Sequence, residues 1–309
     1  MSPKIIVFGA TGGVGSFAAR QAQKLGAKVY LGLRDTSKPV QGLSATEEQE
    51  GGFERVYADL TKPETLAEAV SKTGAKRAFI YLVWQTPDNM KSSIEALKTA
   101  GIELVVFLGS ASVSGDPHDA NPADVISYHH AQVEISLQEV FGNDYVSVRP
   151  GFFASNTFPW KRFLPSGVLT IPHPDAEFDY ITPSDIGRVC GGILAKEERP
   201  AENIIPLYGP QIIPQRQAAD TLAKVLGLDI KVERMDEDKV TGYFAAAFKM
   251  PESGAKFLAN TLKTREAKTD GEYEGNKHTD AVANISKYGG GEPTTFEKWV
   301  EENKEFFNA

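Results

Sequence analysis

Through the first half of the chain, short apolar runs alternate with stretches of helical periodicity. Lys4 to Phe8 reads KIIVF, apolar at every position after the lysine, which is the pattern of a strand buried on both faces. Gly13 to Leu25 predicts a helix, and Lys28 to Leu33 a second strand after a turn at Gly26. Further strands are predicted over Arg55–Ala58, Ala78–Val83, Glu103–Leu108 and Tyr145–Val148. Helices are predicted over Asp88–Ala100, ended by Gly101, and over Ala123–Phe141. Thr61 and Glu64 bracket a capping-box start for a helix between the third and fourth strands. Strands that alternate with helices build βαβ units, a parallel sheet and right-handed crossovers. Ligands then gather at the carboxyl ends of the strands.

The second half is less regular. Phe152 to Pro174 is rich in aromatic residues, Pro and Gly, and reads as irregular chain. Thr182 caps a helix that has Pro183 in its first turn and Asp185 three residues after the cap. Gln215–Leu226 and Thr294–Phe307 predict two more helices, while the polar, glycine-rich Lys263–Gly291 reads as a surface excursion. The expected architecture is α/β. A Rossmann-type doubly wound parallel sheet occupies residues 1–151, and a smaller C-terminal α/β substrate domain occupies 152–309, interleaved with the first.

The 309 residues are 41% hydrophobic and 24% charged, enough for a sizeable core without staples. Cys190 stands alone, so no internal disulfide forms, in keeping with a reducing, cytoplasmic setting. The start MSPKIIVFG has no signal-peptide pattern, and no apolar run approaches the roughly 18 residues of a membrane span. The net charge of -8 argues against nucleic-acid contact. No His or Cys spacing suits a metal, no Gly-x-Ser-x-Gly elbow marks a hydrolase, and no P-loop lysine follows the glycines.

The chemistry begins at Gly9-Ala10-Thr11-Gly12-Gly13-Val14-Gly15, between the first strand and the helix that follows. Gly9 permits the tight turn, Gly12 lets backbone approach a pyrophosphate, and Gly15 lets the helix pack on the sheet. The helix start offers free N–H groups to the anion. Arg34 ends the second strand, with Ser37 and Lys38 close behind. A guanidinium there suits the 2′-phosphate of NADPH (NADP), whereas Asp35 would serve NAD if the strand ran longer. Asp59, at the end of the third strand, suits the adenine amino group or a helix cap equally well. Val83, at the end of the fourth strand, is a further cofactor candidate.

The opening KIIVFGATGGVG, the Arg34 turn, Val56-Tyr57-Ala58-Asp59-Leu60 and Phe107-Leu108-Gly109-Ser110 resemble the NmrA-like family of atypical short-chain dehydrogenases, whose fungal members the stretch near Tyr180 resembles in particular. So do Val148-Arg149-Pro150-Gly151-Phe152-Phe153 and the stretch from Tyr180 to Gly187. The resemblance implies NAD(P)H-dependent reduction of quinones, enones or phenolic ethers, or a regulator that binds dinucleotide without turning it over. It gives Ser110 the place of the serine ending the fifth strand. It gives Pro150, Gly151 and Phe152 the loop against the nicotinamide.

Short-chain dehydrogenases pair a tyrosine with a lysine four residues on, whose cation lowers the phenol pKa. Here the helix reads Ile126-Ser127-Tyr128-His129-His130-Ala131-Gln132-Val133-Glu134. One register pairs Tyr128 with Gln132. The other, anchored on Val133-Glu134, sets His130 in the lysine place and Ile126 in the tyrosine place. His130 is the leading catalytic candidate, with Tyr128 and His129 as alternatives. Trp84, Gln85, Phe153 and Trp160 are the substrate candidates, since an aromatic mouth suits a flat hydrophobic molecule. The leading expectation is an NADPH-dependent reductase of a small hydrophobic carbonyl, quinone or enone. A redox sensor that reports to a partner protein, or as a homodimer, is the alternative. An isomerase or dehydratase that keeps its dinucleotide bound is a third.

Overall fold

The computed structural model describes residues 2–84 and 86–307. The predicted alternation is present. β1 (Lys4–Phe8), α1 (Gly13–Lys24), β2 (Lys28–Leu33) and α2 (Ala45–Glu50) lead to β3 (Glu54–Tyr57), α3 (Pro63–Thr73) and β4 (Arg77–Tyr81). α4 (Lys91–Thr99), β5 (Leu104–Leu108), α5 (Val125–Phe141) and β6 (Tyr145–Pro150) follow. The main sheet has seven strands in the order β3-β2-β1-β4-β5-β6-β9, where β9 is Ile204–Leu207. Every neighbouring pair in it is parallel. The strand order reverses between β1 and β4, so a crevice opens there at the carboxyl ends.

The second half adds β7 (Val168–Ile171), β8 (Glu177–Phe178), α6 (Pro183–Ala195), then β9, β10 (Ile213–Pro214) and α7 (Gln215–Leu226). β11 (Lys231–Arg234), α8 (Glu237–Phe248), α9 (Glu252–Ala267), α10 (Lys277–Asn284) and α11 (Phe296–Glu302) complete it. The chain returns to the main sheet through α6 and β9. α6 lies against α1 because two glycines remove side chains where the backbones meet. A Cβ on Gly187 would come 2.6 Å from the Val14 carbonyl oxygen, and one on Gly191 2.4 Å from that of Ala18. Two apolar cores cover the two faces of the sheet, and a third gathers Trp160, Phe178, Tyr180, Leu222, Phe244 and Trp299.

Several local expectations need correction. Thr61 caps nothing: α3 starts behind Lys62 with Pro63 in its first turn, and Thr61 bonds Asp59 instead. α4 begins only at Lys91, because Asn89 and Met90 adopt left-handed backbone just before it. The stretch from Phe152 to Pro174 contains a run of 3-10 turns over Ala154–Ser166, with Pro159 and Pro165 denying it an α-helical ladder, and then β7. Lys263–Gly291 is no surface excursion. It holds the end of α9, all of α10 and a π-helical turn, Ile285–Gly289, with Ala281, Ile285 and Gly289 buried. The last predicted helix is shorter, with Thr295 as its cap and a 3-10 turn at Lys304–Phe306. α2 was not anticipated, although Ser44 and Glu47 form a complete capping box at its start. The Thr182 cap forms as expected, its hydroxyl accepting the Asp185 N–H at 3.1 Å.

Candidate functional site

The loop after β1 is a tight cradle. Gly9 has φ +70, and the Gly12 N–H donates to the Gly9 carbonyl at 2.9 Å. A Cβ on Gly15 would lie 2.4 Å from that same carbonyl oxygen, so only glycine lets α1 start this close to β1. Gly12, at the N-cap, brings no side-chain cap, and no acidic residue occupies the first turn. Thr11 and Gly12 are exposed, Val14 is buried in the core, and the helix start faces the crevice with its N–H groups unused by side chains.

The loop lines one of two cavities at this end of the sheet, and Tyr81 lines both. The first, about 350 Å³, is bounded by Gly9, Thr11, Arg34, Asp35, Lys38 and Ala58. Asp35 is engaged locally: its Oδ1 accepts from the Ser37 N–H and hydroxyl at 3.0 and 2.6 Å, which holds its carboxyl below its usual range. Arg34 and Lys38 make no side-chain hydrogen bond or ion pair with the described residues, so two cations stand free at this wall. Asp59 does not line the cavity. Its Oδ1 accepts from the Thr61 N–H and hydroxyl, a capping role within its own turn.

The second cavity, about 640 Å³, runs from the ends of β4, β5 and β6 to helices α8 and α9. Ser110, Pro150, Gly151, Phe152 and Phe153 line it, with Trp84 and Trp160 among its walls. Phe244, Phe248, Phe257 and Met250 close the opposite side. Trp84 is 47% exposed, at the rim. Val83 is elsewhere: it packs on the core beneath the sheet, and its N–H points at the Met90 sulfur. Gln85 lies outside the described residues.

Of the α5 candidates, the cavity receives Ile126 and His130. Tyr128 and His129 do not line it. The His129 ring stacks edge-on against Trp84 with its Nδ1 2.8 Å from Asn89 Oδ1, and Tyr128 packs on His129. Tyr128 as a catalytic group is therefore corrected: it lies two residues from both Ile126 and His130, about half a turn round α5, and is not among the cavity's lining residues. His130 Nδ1 lies 2.9 Å from the Ile126 carbonyl, an arrangement in which Nδ1–H donates and Nε2 keeps its lone pair. Burial lowers the imidazole pKa, so the ring is neutral near pH 7. It suits accepting a hydrogen bond better than giving up a proton. The Ser110 and Ser112 hydroxyls lie 2.9 Å apart, and Ser127 holds the Ser112 carbonyl at 2.8 Å, which ties this loop to α5.

Two buried charges brace the site: Glu134, which the sequence offered only as a register anchor for α5, and Asp179, which it did not single out. Glu134, fully buried on α5, pairs with Arg149 of β6 and accepts from Ser147, while Arg149 reaches the Val113 carbonyl at 2.7 Å. Asp179 accepts the Phe152 N–H and the Gly209 N–H, each at 2.9 Å, and the Tyr273 hydroxyl at 2.8 Å. It is the reason residue 151 is glycine, since a Cβ there would meet Asp179 Oδ1 at 2.4 Å. Tyr180 beside it sits at φ +47, held in that strained region by Phe152 and Phe296. Arg149 was legible inside the VRPGFF stretch. Tyr273 carried no local signal at all.

The sheet order, the glycine cradle at its switch point and the crevice at the carboxyl ends define a Rossmann-type α/β protein. The chain belongs to the NmrA-like family, whose model matches residues 1–300. It is 33% identical to the nitrogen metabolite regulation-like protein bik4 of Gibberella fujikuroi, over 96% of this chain and 95% of that one. It is 24% identical to a (4-alkanoyl-5-oxo-2,5-dihydrofuran-3-yl)methyl phosphate reductase of Streptomyces griseus, over 98% of this chain and 99% of that one. Among solved structures, the NADPH-dependent quinone oxidoreductase of Escherichia coli in complex with NADPH superposes with a TM-score of 0.73 at 18% identity. That likeness covers 98% of this chain and all of the other. Among the described residues, no helix is long and apolar enough to cross a membrane.

Proposed function

We propose that this protein is an NADPH-dependent reductase of a small hydrophobic carbonyl, quinone or enone. The observation that carries the reading is the pair of cavities that share Tyr81 as a wall, one with two free cations and the other with aromatic walls. In this reading Arg34 and Lys38 hold the 2′-phosphate, and the uncapped start of α1 with Thr11, Gly12 and Gly13 holds the pyrophosphate. The nicotinamide, when bound, supplies the hydride. Pro150, Gly151 and Phe152 support its ring, and His130 Nε2 accepts from a ribose hydroxyl. Residues 1–151 form the cofactor domain, and 152–309 the substrate domain that covers it. Trp84, Phe153 and Trp160 sandwich a flat substrate and exclude water, and Ser110 donates to its carbonyl oxygen. A quinone takes its final proton from solvent, so no protein acid is required.

The test is titration with NADPH, NADP, NADH and NAD, followed by NADPH oxidation against quinones and enones. Tight NADPH binding with turnover of at least one electrophile is expected. Binding without any turnover would favour a second reading, a sensor that distinguishes NADPH from NADP and signals to a protein partner. Two observations favour that reading: Ile126, with no phenol, in the tyrosine place, and the regulation-like name of the Gibberella relative. Equal affinity for the two redox forms would remove it, since equal binding shifts no equilibrium.

A further inference from the structure

The segment from Lys263 onward brings a polar corner to an otherwise aromatic cavity. Arg265, at the end of α9, lines the second cavity together with Asp270 and Glu272. Its side chain is only 9% exposed. Nε lies 2.8 Å from Asp270 Oδ2, and Nη2 lies 2.9 Å from Glu272 Oε2. The Tyr273 ring lies against the guanidinium, 4.4 Å from Cζ to the centroid. Among the described residues neither Nε, despite its ion-pair contact, nor Nη1 has a hydrogen-bond partner, and Nη1 has no carboxylate beside it either. A buried guanidinium donor left unpaired is costly and uncommon in a folded protein, and beside a ligand-sized cavity it marks a place where a ligand oxygen belongs.

The charges around that donor narrow the ligand class. One guanidinium faces two carboxylates in the cavity wall, and Asp179 lies behind them, bonded to Tyr273. Asp270 alone balances the guanidinium, so the corner has no surplus positive charge with which to hold a carboxylate or phosphate. A neutral hydroxyl both accepts and donates, so it can take the Arg265 Nη1–H and give its own proton to the Asp270 carboxylate. Tyr208 donates to Glu272 Oε1 at 2.7 Å, whereas Asp270 Oδ1 accepts only the long 3.3 Å bond from the Glu272 N–H, which leaves Asp270, closer to solvent, as the freer acceptor. The aromatic walls require that the hydroxyl be carried on a flat ring. We infer that the Arg265–Asp270 corner is a specificity site for a phenolic hydroxyl on an aromatic substrate. This rests on the reductase reading for the word substrate, but not for the binding itself.

The probes are one naphthoquinone ring in three forms: unsubstituted, with a hydroxyl remote from the carbonyls, and with a carboxylate at that same position. Dissociation constants are measured by tryptophan fluorescence on the full-length protein, with and without NADP. The hydroxylated ring is expected to bind roughly tenfold more tightly than the plain one, the worth of one well-made hydrogen-bond pair. In Asp270→Ala that preference should shrink toward equality, and Asp270→Asn, which keeps the size but removes the charged acceptor, provides a second variant should Asp270→Ala fail to fold. Equal binding of plain and hydroxylated rings, tightest binding of the carboxylate, or no binding of any form would overturn the inference. NADPH oxidation is recorded separately. Turnover without hydroxyl preference removes the corner and leaves the reductase, whereas hydroxyl-selective binding without turnover does the reverse.

Discussion

The Tyr273 hydroxyl donates to Asp179 Oδ1 at 2.8 Å, joining the turn before α10 to the carboxylate that pins the Phe152 N–H. Burial pushes the Asp179 carboxyl up, and the donors from Phe152, Gly209 and Tyr273 pull it part of the way back. Because its folded pKa lies above the ordinary carboxylate value, the native state holds a proton that the unfolded chain has released. Its contribution to stability is therefore full at low pH and declines as pH rises through the folded pKa.

Tyr273→Phe removes the bond to the buried carboxylate and the acceptor of the Asp179 N–H at 3.1 Å, and the carboxylate bond alone implies a loss of about 1.5–3 kcal/mol at neutral pH. The lost bond favours the ionised form, so the deficit should narrow in acid, where Asp179 is protonated in both proteins. Urea unfolding of both proteins across the acid-to-neutral range checks this. A deficit independent of pH would mean that Tyr273 acts through packing alone.

The free cations at the first cavity predict cofactor choice. Arg34→Ala should weaken NADPH binding by roughly tenfold or more, the scale of a charge-assisted contact, while NADH affinity changes little. Lys38→Ala should do the same to a smaller degree, because an ammonium lacks the bidentate fork with which a guanidinium grips a phosphate. Fluorescence titration at two ionic strengths measures both. Equal losses for NADPH and NADH in Arg34→Ala would show that Arg34 acts through the adenine or the fold, and not through the extra phosphate.

What was legible in the chain, and what was not, follows from the range of the forces involved. β1 and the Gly9–Gly15 cradle announce themselves because an all-apolar run and three spaced glycines are local consequences of burial and close approach. The helix phase of α5 likewise brought forward His130, which lines the cavity, though not the neutral state that burial imposes on it. Arg265 and Tyr273 were hidden inside a polar, glycine-rich stretch because their partners, Phe178 and Asp179, lie far away in sequence. α10 was missed for a related reason. Its single buried side chain, Ala281, leaves no apolar stripe, and its place depends on packing beside β9.

His130 gives a prediction of opposite sign to Asp179. Its folded pKa is lowered, chiefly by burial, so its neutral form stabilises the fold above the ordinary histidine value, and that contribution is lost as pH falls below it. His130→Gln keeps an acceptor in the cavity but cannot titrate. Its stability should therefore fall less than that of the wild type between about pH 6.5 and pH 5. Cofactor affinity should drop only a few-fold if Nε2 serves as an acceptor. An abolished reaction with intact affinity would instead assign His130 a proton-transfer role.

The strongest single stability effect should come from Glu134. Its carboxylate is wholly buried, and Arg149, almost as deeply buried, has no other carboxylate within ion-pairing reach among the described residues. Glu134→Ala strips the counter-charge but leaves the guanidinium in place, so a loss of about 3–5 kcal/mol is expected. Glu134→Gln keeps the shape and one acceptor, and should lose less. Arg149 also holds the Val113 carbonyl, and Ser147, which donates to Glu134, would collide with any Cβ on Gly109. The damage should therefore reach the Ser110–Ser112 loop at the cavity. Thermal unfolding ranks the two variants, and NADPH titration of the surviving folded protein reads the loop. If Glu134→Ala unfolds no more easily than Glu134→Gln, the charge pair contributes shape alone, and the alignment of α5 with β6 must rest on the apolar contacts of Val133 and Leu137.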